Sequence, residues 1–379
     1  MKGFHRIWLW TLLAWGASVM FAQGNTRQDA LILEQQGKNE EAAQVWRGVV
    51  QSDPRNAEAF AHLGLLEARQ EHYDKAISFY REALALSPEF PGLQMNLGLA
   101  LFKTNQFQAS IKPFTAELQK HPGDQRLTIL LGMAHYGMGD YLVAIPYLRQ
   151  AAEKDSQNLT LRLTLAHSCL WSKQYQCVLD AYKEILVLNA ESSEADMLAG
   201  EALDAMGDTT KATEQFRAAV RANPKEPDVH FGLAYLLWTQ SQYTEAATEF
   251  QAELDNDPAH LQARAYLGDC DVQLHDYAKA QVELEKAVTA NAPLAMVHRD
   301  LGIVYAELGR QDEAVAELQK ATALDPKDAG AHWRLARLYQ AMGKKEEAKA
   351  EFATASAMNK ESIQGLVQKI SGGQPPGQQ

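Results

Sequence analysis

Phe231, Tyr235 and Trp238 are the sharpest group in this 379-residue chain that could do chemistry. Side chains four and three places apart share one face of an α-helix. Aromatic rings there offer large contact area for little lost freedom, so the chemistry they suit is recognition. Comparable faces precede them: Met95, Leu99 and Phe102; Ile129, Met133 and Tyr136; Leu163, His167 and Leu170 with Trp171 alongside. Glu201 and Asp204, and later Asp269, interrupt the series with acids. Arg299, Trp333 and Arg337 make its last part basic. Proteins seldom leave such a stripe exposed without use, and the alternative is that part of it packs against a neighbouring segment.

The elements that carry these faces recur every 34 residues. Starting at Ala57 and numbering the places 1 to 34, Phe60 falls at place 4, Leu63 and Gly64 at 7 and 8, and Tyr73 at 17. Ala76 then falls at 20, Tyr80 at 24, Ala83 at 27 and Pro88 at 32. Place 8 reads Ala30, Gly64, Gly98, Gly132, Ala166, Gly200, Ala234, Gly268, Gly302 and Ala336. Place 20 is almost as uniformly small, from Ala42 and Ala76 to Ala314 and Ala348. Small residues at 8 and 20 let two antiparallel helices approach closely, and the proline ends the second helix.

This pattern resembles the tetratricopeptide repeat, whose period is also 34. The resemblance implies an all-α solenoid of ten tandem helix-turn-helix units, wound as a right-handed superhelix and spanning residues 23–362. The units start at residues 23, 57, 91, 125, 159, 193, 227, 261, 295 and 329. It also implies that places 2, 5, 9 and 12 line a concave groove, while 4, 7, 8 and 11 face the partner helix. The expected peptide-binding residues are then Met95, Leu99, Phe102, Met133, Tyr136, Trp171, Phe231, Tyr235, Trp238, Trp333 and Arg337. Chaperone-binding members of the family clamp a carboxylate with Lys and Asn at such places. Here Ala61, Leu65 and Met95 stand there, so that clamp is not supported. The asparagine ladder of the O-linked N-acetylglucosamine transferases is absent as well, with only Asn96 at place 6.

No catalytic constellation stands out. There is no glycine-rich phosphate loop between a strand and a helix. Acids such as Asp74, Glu245, Asp312, Glu313, Glu346 and Glu347 lie at places 18 and 19 and read as a solvated surface. His230, His298 and His332 all occupy place 4, where the family has an aromatic, and read as half-buried aromatic substitutes. The expectation is therefore no enzyme, no cofactor and no metal. Cys169, Cys177 and Cys270 do not have zinc-site spacing. Cys169 and Cys177 straddle a turn between two helices; export would permit a disulfide, and the alternative is small core residues.

Within the array, the first unit is degraded, with Thr26 and Asp29 at places 4 and 7, as an end cap requires. Pro113 and Pro146 fall near the starts of second helices, where small adjustments are expected rather than breaks. The fifth unit has Val178 and Ile185 at places 20 and 27, and this bulk is expected to push its helices apart. Ile363, Leu366, Val367 and Ile370 suggest a short capping helix over 363–370. Ser371–Gln379 is too rich in Gly, Pro and Gln to fold.

Ahead of the array, Lys2 and Arg6 precede an apolar run, Ile7–Phe21, closed by Ala22. This reads as a signal peptide over residues 1–22, implying export, with the bacterial periplasm as the compartment. An uncleaved anchor is the alternative, although the run is short for a bilayer. Cleavage would leave no membrane span. The net charge of −12 without a basic stripe argues against nucleic acid. The resulting expectation is a non-enzymatic scaffold gripping peptide segments or helices of partner proteins in envelope or secretion-machine assembly. The alternative is an assembly or regulatory subunit of a polysaccharide or glycosyl-transfer enzyme. Oligomeric state stays open.

Overall fold

The computed structural model describes residues 26–290 and 294–370. The expected signal peptide and the tail from Ser371 lie outside the described residues. Among those described, all regular structure is helical and no strand occurs. The first helix, α1 (26–35), pairs with α2 (Asn39–Ser52). Four further pairs follow: α3 (Ala57–Arg69) with α4 (Tyr73–Leu86), α5 (Leu93–Lys103) with α6 (Phe107–Lys120), α7 (Gln125–Gly137) with α8 (Tyr141–Lys154), and α9 (Leu159–Trp171) with α10 (Tyr175–Leu188). These pairs form one compact unit that ends at Leu188.

A second compact unit starts at Asn189 and also holds five pairs. They are α11 (Ser193–Ala205) with α12 (Thr209–Ala222), α13 (Val229–Thr239) with α14 (Tyr243–Asn256), α15 (Leu261–Gln273) with α16 (Tyr277–Thr289), α17 (Ala295–Glu307) with α18 (Gln311–Leu324), and α19 (Ala329–Ala341) with α20 (Lys345–Ile370). Inside each unit a second helix packs against its own partner and against the first helix of the next pair. This is the all-α, repeat-by-repeat architecture that the 34-residue period implies.

The helix starts follow from place 34, whose side chain accepts a hydrogen bond from a backbone N–H of the coming first turn. Asn56, Asp124, Asn158, Ser192, His260 and Asp328 all do this. The turn inside each pair passes through left-handed backbone at place 15. Glycine holds that place in half the repeats, and Glu71, Asn105, Lys173, Ser241 and His275 hold it in the others.

Place 8 comes close to place 20, as expected, and the large side chain that fills the space is at place 24. A Cβ added to Gly98 would lie 2.5 Å from the ring of Phe114, and one added to Gly64 would lie 2.5 Å from Tyr80. The corresponding positions in Gly200, Gly268 and Gly302 point at Phe216, Leu284 and Leu318. All of these are place 24 of the same repeat. The small residue at place 8 is thus a seat for the large one at place 24. Place 20 adds its backbone carbonyl, as Ala314 does 3.3 Å from the Cβ position of Gly302.

Four other details refine the sequence reading. Val178 and Ile185 are both fully buried, and the repeat takes their bulk by leaving Tyr182 at place 24 half-buried, where most repeats bury that residue. Pro113 and Pro146 lie in the second helical turn, so each forgoes one backbone bond, yet α6 and α8 run unbroken. The expected separate capping helix does not occur: residues 363–370 are the last part of the 26-residue α20, with Ile363 exposed. Cys169 and Cys177 are joined in a disulfide across the α9–α10 turn, their Cα atoms 5.7 Å apart. Cys270 is free and buried.

The seat makes a testable contrast. Ala is favoured over Gly in a helix interior by up to about 1 kcal/mol, so Gly48→Ala, on an open face of α2, should raise the melting temperature. Gly98→Ala has the same propensity gain but drives a methyl into Phe114, an overpacking cost of about 1–3 kcal/mol. Its melting temperature should fall. Equal shifts for the two variants would refute the seat.

Candidate functional site

The expected stripe is present in each unit, but only part of it faces solvent. In the first unit, Met95 and Phe102 are half-buried and pack on the core formed by Phe114, Leu127 and Leu131. Two of those core residues belong to the next repeat, so here the packing alternative holds. Leu99 is exposed, and Met133 and Tyr136 are half-buried. Trp171 is 49% exposed and gathers an aromatic group: Tyr136 stacks on it at 5.8 Å, Tyr141 lies at 4.7 Å and His167 at 5.2 Å.

In the second unit, Phe231, Tyr235 and Trp238 form one surface along α13. Their ring centroids are 6.3 and 5.8 Å apart in order. Tyr266 on α15, at place 6 of the next repeat, ties them together. It meets Tyr235 edge-on at 5.5 Å and Trp238 at 4.9 Å, and stacks on Phe250 at 5.6 Å. Tyr266 was not singled out from the sequence, because its role depends on how successive repeats are juxtaposed. Tyr235 is the exposed member, at 38%. On α19, Trp333 and Arg337 are exposed as a pair, the guanidinium 5.0 Å from the indole centroid.

The charged members of the stripe fare differently. Glu201 and Asp204 are exposed. Asp269 is only 2% exposed and accepts a 2.5 Å hydrogen bond from the Trp238 indole N–H. Arg299 is not a free groove cation: its Nε donates to Asp300 at 2.9 Å and its Nη1 to Asp328 at 3.3 Å. Its Nη2 lies 3.8 Å from Asp269. Asp300 is fully buried, and its Oδ2 has no donor among the described residues. Burial raises the Asp300 carboxyl to about 7; Arg299 pulls it down, and the neighbouring Asp269 adds to the rise.

Of the place-4 histidines, His298 and His332 are half-buried, as expected, and His230 is buried; none is a passive aromatic substitute. His230, His298 and His332 bond through Nδ1 to Glu249, Glu317 and Glu351 at 2.6, 2.6 and 2.5 Å. Arg264 reaches Glu283 at 2.6 Å in the same way. Each acid stands at place 23 of its own repeat, so four consecutive repeats carry the same pair. A histidine or arginine followed 19 residues later by glutamate is the signal in the sequence that reveals it.

One group of donors could hold a metal by proximity: Asp228, Glu253 and His260. Their bonds are committed elsewhere. His260 Nδ1 accepts from the Ala263 N–H at 3.0 Å, which leaves the ring proton on Nε2, 3.0 Å from Asp228. Glu253 accepts from the Phe231 N–H at 3.1 Å. A cation there would cost α15 its cap, so these residues read as a helix-start device. No helix among the described residues is long and apolar enough to cross a membrane.

The tetratricopeptide repeat family model matches residues 28–91, 95–158 and 197–260, and further models of the same repeat match 302–343 and 329–362. The chain belongs to the tetratricopeptide repeat family. Its curated relatives include a TPR repeat-containing protein of Methanocaldococcus jannaschii, MJ1428, 28% identical over 153 residues. That match covers 40% of this chain and 27% of the relative. The BBSome complex member BBS4 of Bos taurus is 22% identical over 215 residues, 57% of this chain and 41% of the relative. The chain therefore spans less than half the length of either protein. Among solved structures, YrrB, titled a TPR protein with an unusual peptide-binding site, is 20% identical with a TM-score of 0.42. It covers 50% of this chain and 98% of its own. Proteins of this architecture are typically non-catalytic interaction scaffolds.

The Asp300 knot predicts a pH effect. The folded state holds the Asp300 proton up to about 7, whereas an unfolded aspartate loses it near its ordinary value of 3.8. Between those limits the native state binds more protons, so this group's contribution to stability falls as pH rises through the window. Asp300→Asn has no such proton. Its melting temperature relative to the parent should climb from pH 4 to pH 7 and then level off. Asp271, raised by burial to about 6, titrates in both proteins and cancels in the difference. A difference that stays constant with pH would contradict the assignment.

Proposed function

We propose that this chain is a non-enzymatic scaffold that grips peptide segments or helices of partner proteins along the first-helix stripe. The observation that carries the reading is the aromatic surface of α13. Tyr235 stands 38% exposed on a bed formed by Phe231, Trp238 and Tyr266. A ring held by its neighbours loses little freedom when a partner covers it, which is the condition under which aromatics dominate interfaces. Trp171 and the Trp333–Arg337 pair offer further anchors of the same kind.

The compartment we propose is the bacterial periplasm, in assembly of an envelope or secretion machine. The basic and apolar stretch Lys2–Phe21 supports export, and the Cys169–Cys177 bridge suits an oxidising compartment.

One experiment in native cells addresses both parts. Tyr235→p-benzoylphenylalanine should cross-link on illumination to a defined segment of another protein. Val187→p-benzoylphenylalanine, 86% exposed on α10, serves as the control and should not. Mass spectrometry of the adduct should find the mature chain starting near Gln23. Equal capture at both positions, or none at Tyr235, would overturn the scaffold reading at this surface. A chain retaining Met1 would overturn cleavage.

A further inference from the structure

A pocket of about 220 Å³ opens beside Tyr235, inside the second unit. It is smaller than the roughly 300–1,000 Å³ of small-molecule and cofactor sites, so its size suits one long side chain. Its floor is Phe216, which is almost fully buried, together with Gly232 and Leu236. Gly232 is required there: a Cβ on it would stand 2.2 Å from the Phe216 ring. The α13 side is made by the rings of Phe231 and Tyr235, inclined 25° to each other. The α11 side presents Met197, Glu201 and Asp204.

The charge of this lining decides what fits. It contains three acids, Glu201, Asp204 and Asp228, and no base. Asp228 is engaged by His260 at the edge. Glu201 and Asp204 lie one helical turn apart on α11, both exposed, and line the pocket together with the rings of Phe231 and Tyr235. A cation between them would have carboxylates on one side and ring faces on the other, and both attract it. A guanidinium uses this arrangement best. Its flat face lies on the rings while its edge N–H groups reach the carboxylates, with the methylenes of its stem against Met197 and Leu236. An anionic terminus, the ligand of a basic clamp, would be repelled.

We propose that this pocket takes an arginine side chain from a basic segment of a partner protein. The proposal rests on the scaffold reading and names the chemistry of what the scaffold grips.

The probe is a capped peptide, acetyl-Gly-Gly-Arg-Gly-Gly-amide, titrated into the full chain labelled at methionine methyl groups. The readout is the Met197 resonance, identified through Met197→Leu. The expected result is a saturable shift of Met197 that weakens as salt is added. The citrulline peptide has the same shape without the charge and should bind about tenfold more weakly or worse. Glu201→Gln with Asp204→Asn keeps the shape of the wall, and circular dichroism will show whether it stays folded. This double variant should lose most of the arginine affinity and the salt dependence together. Equal binding of the arginine and citrulline peptides would overturn the proposal, as would no saturable shift up to the peptide's solubility. The scaffold reading fails separately. If the segment captured at Tyr235 lacks arginine, the pocket proposal falls and the scaffold stands.

Discussion

The contact between place 8 and place 24 sets everything else in this molecule. The large side chain at place 24 of the second helix is buried where the first helix offers a small residue at place 8, because a bulkier one there would take the same space. Phe114 over Gly98, Tyr80 over Gly64 and Phe216 over Gly200 are versions of one joint. The joint fixes the distance between paired helices, and so which faces of the first helix are consumed. Places 4, 7, 8 and 11 are used up inside. Places 5, 9 and 12 lie to the side, and there a repeat can carry residues chosen for something other than stability.

Among the described residues, charge enters this frame largely in pairs. Removing a carboxylate or guanidinium from water costs several kcal/mol unless a partner stands ready. The place-4 bases meet place-23 glutamates in four successive repeats, and Arg299 gathers Asp269, Asp300 and Asp328. Asp300 relieves its surplus negative charge by keeping a proton, and burial likewise raises Asp271, to about 6. The Trp238 indole joins the same knot through Asp269. Trp238 is therefore part structural, and Tyr235 is the cleaner reporter of partner contact.

The period, the pair count and the turn positions were legible because they are local and repeat in register. Small residues at places 8 and 20 announced the close approach, but not that the side chain filling it would be the one at place 24. Tyr266 was invisible for a related reason, since its neighbours Tyr235 and Trp238 belong to the preceding repeat. Met95 and Phe102, groove residues by the periodicity, pack on a core that includes the next repeat's Leu127 and Leu131. Asp269 and Arg299 looked like exposed groove charges and proved to be partners. The histidine-to-glutamate spacing of 19 was present in the sequence and needed only to be compared across repeats. Fold information sits inside one period; site information sits between periods.

Hydrogen exchange on Gly98→Arg tests the central claim that each repeat is held by its own joint and its immediate neighbours. A charged side chain forced onto Phe114 opens one joint of a stack whose cohesion is nearest-neighbour. The account predicts lost protection in α5 and α6, a smaller loss in α4 and α7, and unchanged protection in α17 through α20. Uniform loss along the whole chain, or no loss in α5 and α6, would contradict it.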